Sequence, residues 1–387
     1  MTPGARVAAA AQVLDQILAG QAAETALLRW SRSSRFAGSG DRTAVRDLVF
    51  DALRCRSSAA AMGGELSGRG LMLGLARLMG RDVAALFNGQ GHALPLPDLA
   101  GRQPDTDAAS DIPAWLLPRM RADLGADFDA ISAAMRLRAP VWLRVNLARV
   151  TPAEAPAILA ADGVAVQASD MLPDALQVLE GARSVQRSRA YLDGLIELQD
   201  LSPQLACAAV PLRPGDSVLD YCAGGGGKAL ALAARQAGLA RVVAHDADAG
   251  RMRDLPERAR RAGTMVEIAR PGQVAGAFDL VVADVPCSGS GSWRRDPDGK
   301  WRLTPSRLDE LLGVQSEIMD KASHYVMPGG VLAYMTCSVL RAENQNQVND
   351  FLSRNPDFSS DFIQNYNPLT ASDGFFLAVL QRKPGAR

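Results

Sequence analysis

Two cysteines in this sequence could act as nucleophiles, because each follows an apolar run typical of a buried strand. Cys287 comes shortly after Leu280–Ala283, and Cys337 comes shortly after Val331–Met335. In open parallel sheets, ligands bind outside the carboxyl ends of the strands. If the two strands are neighbours, they lie roughly 5 Å apart, and both thiols can face one substrate. The spacing therefore predicts a site at which a thiol attacks a bound molecule.

A pair of thiols suits chemistry at an electron-poor ring carbon, to which a thiolate can add. Carbon-5 of cytosine is too weak a nucleophile to accept a methyl group directly. Addition of a thiolate to carbon-6 makes carbon-5 react like an enamine, so a nucleophilic cysteine and a methyl donor explain each other. The alternative is two buried, inert cysteines. Small polar residues beside Cys287 and Cys337 favour the reactive interpretation.

A glycine-rich segment, Asp220–Lys228, could bind the second reactant. An apolar strand precedes it and a helical pattern follows, so backbone N–H groups and the positive end of a helix would face a ligand. A phosphate-binding loop is excluded, because Cys222 occupies the position of its first glycine and Ala229 that of its hydroxyl residue. Only four of the 42 basic residues are lysines, which draws attention to Lys228.

Two other interpretations of this loop stay open. Gly224, Gly226 and Ala229 match a dinucleotide fingerprint, which is a weak signal alone. The methionine end of S-adenosylmethionine suits the same loop equally well. Asp246, at the end of the next predicted strand, could accept hydrogen bonds from ribose hydroxyls in both cases, or it could cap a helix.

The bulk properties place few limits on function. The chain has 387 residues with 48% hydrophobic and 22% charged residues and zero net charge, as expected for a soluble protein of two or three domains. No apolar run approaches the roughly 20 residues of a membrane helix, and the first residues do not resemble a signal peptide. Five cysteines without a C-x-x-C pair argue against a disulfide scaffold or a metal cluster. We expect a cytoplasmic protein with reduced thiols and no metal.

The elements that position these residues fall into four regions. Apolar residues at spacings of three and four predict a helical bundle over 1–90, and glycines and prolines predict a linker over 91–110. Mixed helix and strand patterns predict a small α+β module over 111–198. Alternating strands and helices over 199–387 predict a doubly wound parallel sheet with helices on both faces, and the helix after the glycine loop extends to Ala237.

The motifs together resemble those of a bacterial 16S ribosomal RNA cytosine-5 methyltransferase of the B type, the Sun/Fmu family. The resemblance covers about residue 140 to the end and is most specific at the Pro-Cys and Thr-Cys-Ser pair. The matching pieces, in order, are Leu143–Asn146, Gln199–Ser202, Leu219–Lys228, Asp284–Gly289, Arg294–Pro297, Trp301, Thr336–Ser338, Glu343–Asn344 and Asp373–Phe376. In that family an α/β Rossmann-like methyltransferase domain follows a helical domain similar to the antitermination factor NusB and a small RNA-recognition-like module.

The resemblance also implies roles for individual residues. Cys337 would attack carbon-6 of cytosine, and Cys287 would assist breakdown of the covalent adduct. Asp284 would bind the polar edge of the flipped base, with Lys228 near both the base and the cofactor. The residues that would hold S-adenosylmethionine are Cys222, Ala223, Gly224, Gly225, Gly226, Gly227, Lys228, Asp246, Arg251 and Asp284. The family's Ala-Pro-Gly-Gly loop is replaced here by Ala223–Gly227, and Arg270 stands where an acidic residue usually meets adenine.

Two basic clusters could contact RNA. Arg136, Arg138, Arg144 and Arg149 could line a phosphate path or form a solvated face. In the segment Trp293–Arg302, tryptophans are interleaved with basic residues. That pattern suits phosphate binding and base stacking, or simply a packed surface loop.

We therefore expect a monomeric S-adenosylmethionine-dependent RNA cytosine-5 methyltransferase that acts on 16S ribosomal RNA and has no membrane partner. The same chemistry on transfer RNA is one alternative. An RNA-binding or assembly protein with a vestigial cofactor site is another. A nicotinamide dehydrogenase would leave the cysteine pair unexplained.

Overall fold

The computed structural model describes residues 1–236 and 240–385. They divide into two compact units. The first comprises Met1–Arg138 and Trp293–Leu303, and the second comprises Ala139–Ser292 and the chain from Thr304 onward. The compact units do not coincide with the predicted boundaries near residues 90, 110 and 198, which stay predictions about domains. No pattern in the sequence predicts that Trp293–Leu303 groups with the first unit.

The first unit is helical, as the sequence predicts for 1–90. Its helices include α1 (Pro3–Leu18), α2 (Ala23–Ser33), α3 (Ser39–Arg54), α4 (Arg56–Gly63), α5 (Gly68–Leu78), α6 (Val83–Leu86), α7 (Thr106–Ser110), α8 (Leu117–Leu124) and α9 (Phe128–Met135). The apolar stripe of α1 packs into the core of this unit, together with side chains from α2, α3 and α5. Two helices were not predicted. Helix α4 is built mainly from alanine and serine without an apolar repeat, and α7 lies inside the predicted linker.

The second unit begins with a small antiparallel sheet. Its elements are β1 (Val141–Val145), α10 (Ala155–Ala161), β2 (Ala165–Ala168), β3 (Ala175–Glu180), α11 (Arg189–Leu192) and β4 (Ile196–Leu198). The strand order β2-β3-β1-β4 and the sequence of elements define a ferredoxin-like arrangement. A small α+β fold is therefore present over 141–198, but the helices predicted at the start of the 111–198 module, α8 and α9, group with the first unit. Strand β4 was missed because three residues give too short a pattern.

The rest of the second unit is built on a seven-stranded sheet in the order β10-β11-β9-β8-β5-β6-β7. Its elements are α12 (Leu201–Ala209), β5 (Ser217–Asp220), α13 (Gly227–Arg235), β6 (Arg241–His245), α14 (Leu255–Ala262), β7 (Glu267–Ala269), β8 (Phe278–Asp284), α15 (Pro297–Arg302, which groups with the first unit), α16 (Pro305–Ser323), β9 (Val326–Thr336), α17 (Gln345–Arg354), β10 (Phe358–Tyr366) and β11 (Phe375–Arg382). The predicted end of α13 at Ala237 lies outside the described residues.

The prediction of a wholly parallel sheet is wrong at one edge. Strands β9, β8, β5, β6 and β7 run parallel, but β11 is antiparallel to both β9 and β10. Only residues 367–374 connect β10 to β11, and a parallel crossover needs a dozen or more residues. The sheet is therefore mixed, with apolar cores on both faces. No helix within the described ranges is long and apolar enough to cross a membrane.

Candidate active site

The two cysteines meet at the carboxyl ends of neighbouring strands. Strands β8 and β9 pair in parallel, with Asp284 opposite Met335. The Sγ atoms of Cys287 and Cys337 lie 3.3 Å apart, and both side chains are partly exposed. The expectation that the two strands are neighbours is thus confirmed. One small ring could contact both sulfur atoms.

The thiols differ in their readiness to ionise. The hydrogen bond between them lowers the pKa of Cys337 and raises the pKa of Cys287. Burial raises the pKa of both thiols. The Asp284 carboxylate also raises the pKa of Cys337, which the Lys228 ammonium lowers, whereas the Glu343 carboxylate raises the pKa of Cys287. Cys337 is therefore the better nucleophile, because the thiolate is the reactive form of cysteine.

Lys228 and Asp284 form an ion pair beside the thiols. The Lys228 Nζ lies 2.5 Å from an Asp284 carboxylate oxygen. Burial by itself would lower the pKa of Lys228, but the Asp284 carboxylate outweighs it, and the pKa stands above its usual value. The ammonium also lies 5.5 Å from the centroid of the Phe375 ring. Lys228 is therefore a fixed cation at neutral pH and cannot serve as a general base.

A buried carboxylate, whose role the sequence does not predict, holds both cysteine loops. Glu343 is fully buried. It accepts hydrogen bonds from the Ser288 N–H at 2.7 Å, the Ser288 and Ser338 hydroxyls at 2.5 Å each, and the Gln315 amide at 3.0 Å. Because Ser288 follows Cys287 and Ser338 follows Cys337, one carboxylate fixes the spacing of the two thiols. The available signal was the Glu-Asn pair that follows Cys337 by six residues.

Contacts of Asn344 and Gly291 stiffen the same region. Asn344 accepts a hydrogen bond from the Thr336 hydroxyl at 2.6 Å and donates one to the Ser338 carbonyl at 2.9 Å. The Gly291 N–H donates to the Cys337 carbonyl at 2.9 Å. Gly291 lies so close to the backbone of Gly374 that any side chain there would overlap it. The loops that carry the thiols are therefore held on both sides.

The glycine loop adopts the sharp turn that its sequence predicts. Gly224 and Gly226 have φ angles of +50° and +82°, and α13 begins at Gly227. A side chain on Gly226 would overlap Leu255. The N–H groups of Ala223, Gly224 and Gly226 bond within the protein, to the His245 carbonyl, the Asp246 carboxylate and the Ala223 carbonyl. These three amides therefore shape the loop rather than point at a ligand.

Asp246 lies beside this loop and does not cap a helix. One carboxylate oxygen accepts from the Gly224 N–H and the other from the Asp248 N–H, both at 2.9 Å. Asp248 instead caps the short turn that follows. A guanidinium nitrogen of Arg251 lies 3.2 Å from Asp246. The structure thus brings together the predicted ribose-binding residue, Arg251 and the glycine loop.

Asp220, for which the glycine-rich motif predicts no role of its own, lies at the carboxyl end of β5, directly before the glycine loop. One oxygen of its buried carboxylate accepts from the Ala229 N–H at 3.0 Å, and the other has no partner among the described residues. Burial raises its pKa to about 7. A buried acceptor without a partner is costly, so it suits a ligand that brings a donor. The available signal was an aspartate that ends a strand directly before the glycine loop.

Cys222 is not a third nucleophile. Burial raises the pKa of this thiol, and the Asp220 and Asp284 carboxylates raise it further.

At the other edge of the sheet, Arg270 directly follows the carboxyl end of β7. Within the described ranges, no group of three or more acidic, histidine or cysteine side chains could hold a metal ion.

The two predicted RNA-binding clusters are not formed as expected. Arg144 is buried and donates to the Gly227 carbonyl at 3.2 Å, while Arg149 donates to the Arg261 carbonyl. Arg136 and Arg138 pair with acids of the first unit. Within that unit, Trp293 and Lys300 are each 2% exposed, and Trp301 packs against the helical core. The packed-loop interpretation is correct for these three residues.

Comparison with known proteins places the chain in a family. Residues 207–381 match the family model "16S rRNA methyltransferase RsmB/F", and residues 112–186 match the ferredoxin-like domain model of the same proteins. The ribosomal RNA small subunit methyltransferase B of Cronobacter sakazakii is 35% identical over 288 residues, or 70% of this chain and 66% of that relative. An Enterobacter relative of the same name is 34% identical over 71% of this chain and 68% of its own length.

The match spans about two thirds of the length of these curated relatives. A solved structure, PH0851, shares the fold, with a TM-score of 0.77, 20% identity and coverage of 99% of both chains. The sequence matches decide the family, and the structural match decides the fold. The chain therefore belongs to the RsmB/F family of 16S rRNA methyltransferases.

Proposed function

We propose that this protein methylates carbon-5 of a cytosine in 16S ribosomal RNA, with S-adenosylmethionine as the methyl donor and a covalent cysteine–cytosine adduct on the way. The observation that carries the proposal is the pair of thiols 3.3 Å apart, only one of which is poised to ionise. A transfer to a nucleophilic nitrogen or oxygen would need no such pair. Family membership supports ribosomal RNA as the substrate.

The first step is attack by Cys337. Its thiolate adds to carbon-6 of the flipped cytosine, and the electron pair of the ring double bond moves toward the ring carbonyl and nitrogen. Asp284 accepts a hydrogen bond from the polar edge of the base and stabilises the protonated ring nitrogen. Lys228 holds Asp284 in place through its ion pair. Extrusion of the base from its stack costs a few kcal/mol, so these contacts must offset that cost.

Cys287 acts in the last step. Bound S-adenosylmethionine would supply the methyl group to carbon-5, and S-adenosylhomocysteine would be the leaving group. When Cys337 is bonded to carbon-6, the thiolate that raised the pKa of Cys287 is gone, so Cys287 ionises more readily than in the free protein and takes the proton from carbon-5. The electrons of that C–H bond restore the ring double bond, the carbon–sulfur bond breaks, and Cys337 leaves as a thiolate.

The glycine loop and its neighbours fit the cofactor. The orphan oxygen of Asp220 would accept from the ammonium of the methionine end. Beside Gly227 no protein atom lies closer than 4.0 Å to where a Cβ would stand, which leaves room for a ligand, and Asp246 would bind the ribose. Because Asp246 is already paired with Arg251, the ribose contact requires Arg251 to yield part of that pair.

Replacement of the two thiols tests the proposal. Cys337→Ala should abolish methylation and adduct formation, because no nucleophile remains. Cys287→Ala should form an RNA adduct that survives denaturing electrophoresis, because elimination is blocked. Cys55→Ser is the matched control, since this thiol of the first unit lies outside the proposed site and serine can keep its hydrogen bond to the Asp51 carbonyl. An adduct with Cys337→Ala instead would reverse the two roles, and activity in both variants would exclude the mechanism.

A binding measurement tests the cofactor contact separately. If Asp220 meets the ammonium group, it must be ionised, and its pKa is about 7 in the free protein. Affinity for S-adenosylhomocysteine should then rise by up to tenfold per pH unit between pH 5 and 7 and level off above. Asp220→Asn should bind weakly and lose this dependence in calorimetry. A flat profile for the unmodified protein would remove Asp220 from the site.

The remaining parts of the proposal concern the substrate and the setting. We propose that the helical unit is NusB-like, and that the protein works as a cytoplasmic monomer. Bisulfite mapping of total RNA from a strain that lacks the protein would identify the substrate. We expect one methylated cytosine of 16S ribosomal RNA to be missing in that strain. If the missing methylated cytosine lies in transfer RNA, then transfer RNA is the substrate instead.

A further inference from the structure

A corner of the helical unit carries arginines that the fold does not use. Between Glu24 and Arg46, at the junction of α2 and α3, the sequence has five arginines and two acids. Both acids are engaged: Glu24 pairs with Arg46, and Asp41 pairs with Arg6 and the amino terminus. The four arginines that remain are exposed, and their side chains make no ion pair or hydrogen bond among the described residues: Arg29, Arg32, Arg35 and Arg42.

The same corner exposes apolar surface. Phe36, in the turn between α2 and α3, is 75% exposed, and Leu28 on α2 is 51% exposed. Beside them lies an open groove of about 260 Å³, lined by residues of α2 and α3 that include Trp30 and Arg42. Single exposed apolar residues are ordinary. An exposed phenylalanine next to an arginine without an acid partner is the combination that needs an explanation.

The chemistry of this surface fits a single strand of nucleic acid. Arginine forks bind phosphate oxygens in a bidentate manner, and exposed aromatic rings stack on bases regardless of their identity. The chain as a whole carries zero net charge, so this local excess is not a result of global composition. The apolar area at the corner is limited to Phe36, Leu28 and the groove, which is small for a stable protein interface of roughly 800 Å² per partner.

We propose that the α2–α3 corner, defined by Arg29, Arg32, Arg35, Phe36 and Arg42, binds a single-stranded segment of the RNA substrate. The arginines contact successive phosphates, and one base stacks on Phe36. The proposal rests on the function proposed above and adds where the helical unit holds the substrate. The corner is then a docking site, which acts on affinity and not on the chemical step.

RNA affinity, read separately from methyl transfer, tests the proposal. Binding of a fluorescently labelled fragment of 16S ribosomal RNA would be followed by anisotropy at several salt concentrations. Phe36→Ala should weaken binding by about five- to a hundredfold through lost stacking. Arg32→Gln with Arg35→Gln should lower the slope of log affinity against log salt by about 1.4, or 0.7 for each phosphate contact. Arg119→Gln, which removes an exposed arginine of α8 without a described partner, is the matched control and should change neither.

Kinetics separate docking from catalysis. The corner variants should raise KM for RNA, leave kcat at saturating RNA within twofold of the unmodified protein, and keep its thermal midpoint. Unchanged affinity in both corner variants would overturn the proposal even if methylation is confirmed. Corner variants that lose affinity would support the corner even if the unmodified protein transfers no methyl group to any RNA. Binding to anionic lipid vesicles that is tighter than binding to RNA, and lost in Phe36→Ala, would assign the corner to a membrane surface instead.

Discussion

Two regions of the helical unit combine basic and aromatic residues, and they are used in opposite ways. In the segment Trp293–Leu303, the sequence suggests an RNA-binding loop, yet Trp293 and Lys300 are buried. In the α2–α3 corner, the sequence suggests only helices, yet Phe36 and its neighbouring arginines are exposed. Composition alone therefore does not show which of the two regions is exposed. What separates them is whether their donors already have partners inside the fold.

The partners in the buried segment are the ends of helices. Lys300 donates to the Arg54 carbonyl at 3.1 Å, and the Trp301 indole donates to the Leu53 carbonyl at 2.6 Å. Both carbonyls lie at the carboxyl end of α3, where the last four have no partner within the helix. At the other side, Asp298 accepts from the N–H of Ala23, the first residue of α2. The segment thus caps two helices, and its charges complement their dipoles.

The largest expected difference between the two regions is in stability. Trp293→Ala should cost about 3–5 kcal/mol in the free energy of unfolding of the helical unit, because it empties a well-packed site. Phe36→Ala should cost less than about 0.5 kcal/mol, because an exposed ring leaves no cavity. Native-state hydrogen exchange of the α1, α3 and α5 amides would measure both. Similar costs for the two variants would erase the distinction between the regions.

The pH dependence of stability isolates the buried lysine. Burial lowers the pKa of Lys300 to about 8, below its usual value of 10.5. Between these values the unfolded chain binds more protons than the folded one, so stability should rise with pH, by about 3 kcal/mol in all. Below pH 8 the folded protein carries the full cost of the buried charge. Lys300→Met should lack this rise, so the difference between the two proteins should shrink or change sign as pH increases from 8 to 10.5. A constant difference would contradict the burial of a charged lysine.

The sequence predicts residue contacts correctly where the sheet topology alone brings the residues together. Cys287 and Cys337 each follow a strand, and parallel strands end at one edge of a sheet, so their encounter could be expected from two short motifs. Lys228 and Asp284 meet for the same reason. The glycine loop was equally readable, because Gly224 and Gly226 adopt left-handed backbone conformations that other residues rarely take.

It failed where the partner is distant in sequence or the pattern is weak. Glu343 bridges Ser288 and Ser338, and nothing local to Glu343 reports a partner 55 residues away. The antiparallel direction of β11 could not be inferred, because β10, the strand before it, was not recognised. Strand β10 lies at the edge of the sheet, and most of its residues are polar, so its sequence lacks the apolar run of a buried strand. Asp220 was read as part of a motif, since only the structure shows that one of its oxygens has no partner.

A smaller effect is expected at the N-terminal end of α2. Asp298→Ala removes the side chain that accepts from the Ala23 N–H at 3.0 Å, while Ala22 offers no side-chain cap of its own. Loss of a cap costs typically about 1 kcal/mol. Thermal unfolding of the variant should show a midpoint a few degrees lower, with unchanged RNA affinity. If Asp298→Ala reduces RNA affinity without lowering stability, then the segment Trp293–Leu303 is part of the RNA-binding surface.

The smallest effect, and the most direct comparison, concerns one exposed arginine of the buried segment. Arg302 pairs with Asp298 at 3.7 Å on the surface of the helical unit, and such pairs contribute about 0–1 kcal/mol. Arg302→Gln should therefore change neither the unfolding free energy by more than that nor the RNA affinity by more than twofold. Arg35→Gln, with the same loss of charge in the α2–α3 corner, should reduce the salt slope of RNA binding by about 0.7. Equal slopes for the two variants would mean that RNA responds to the net charge of the helical unit and not to the α2–α3 corner.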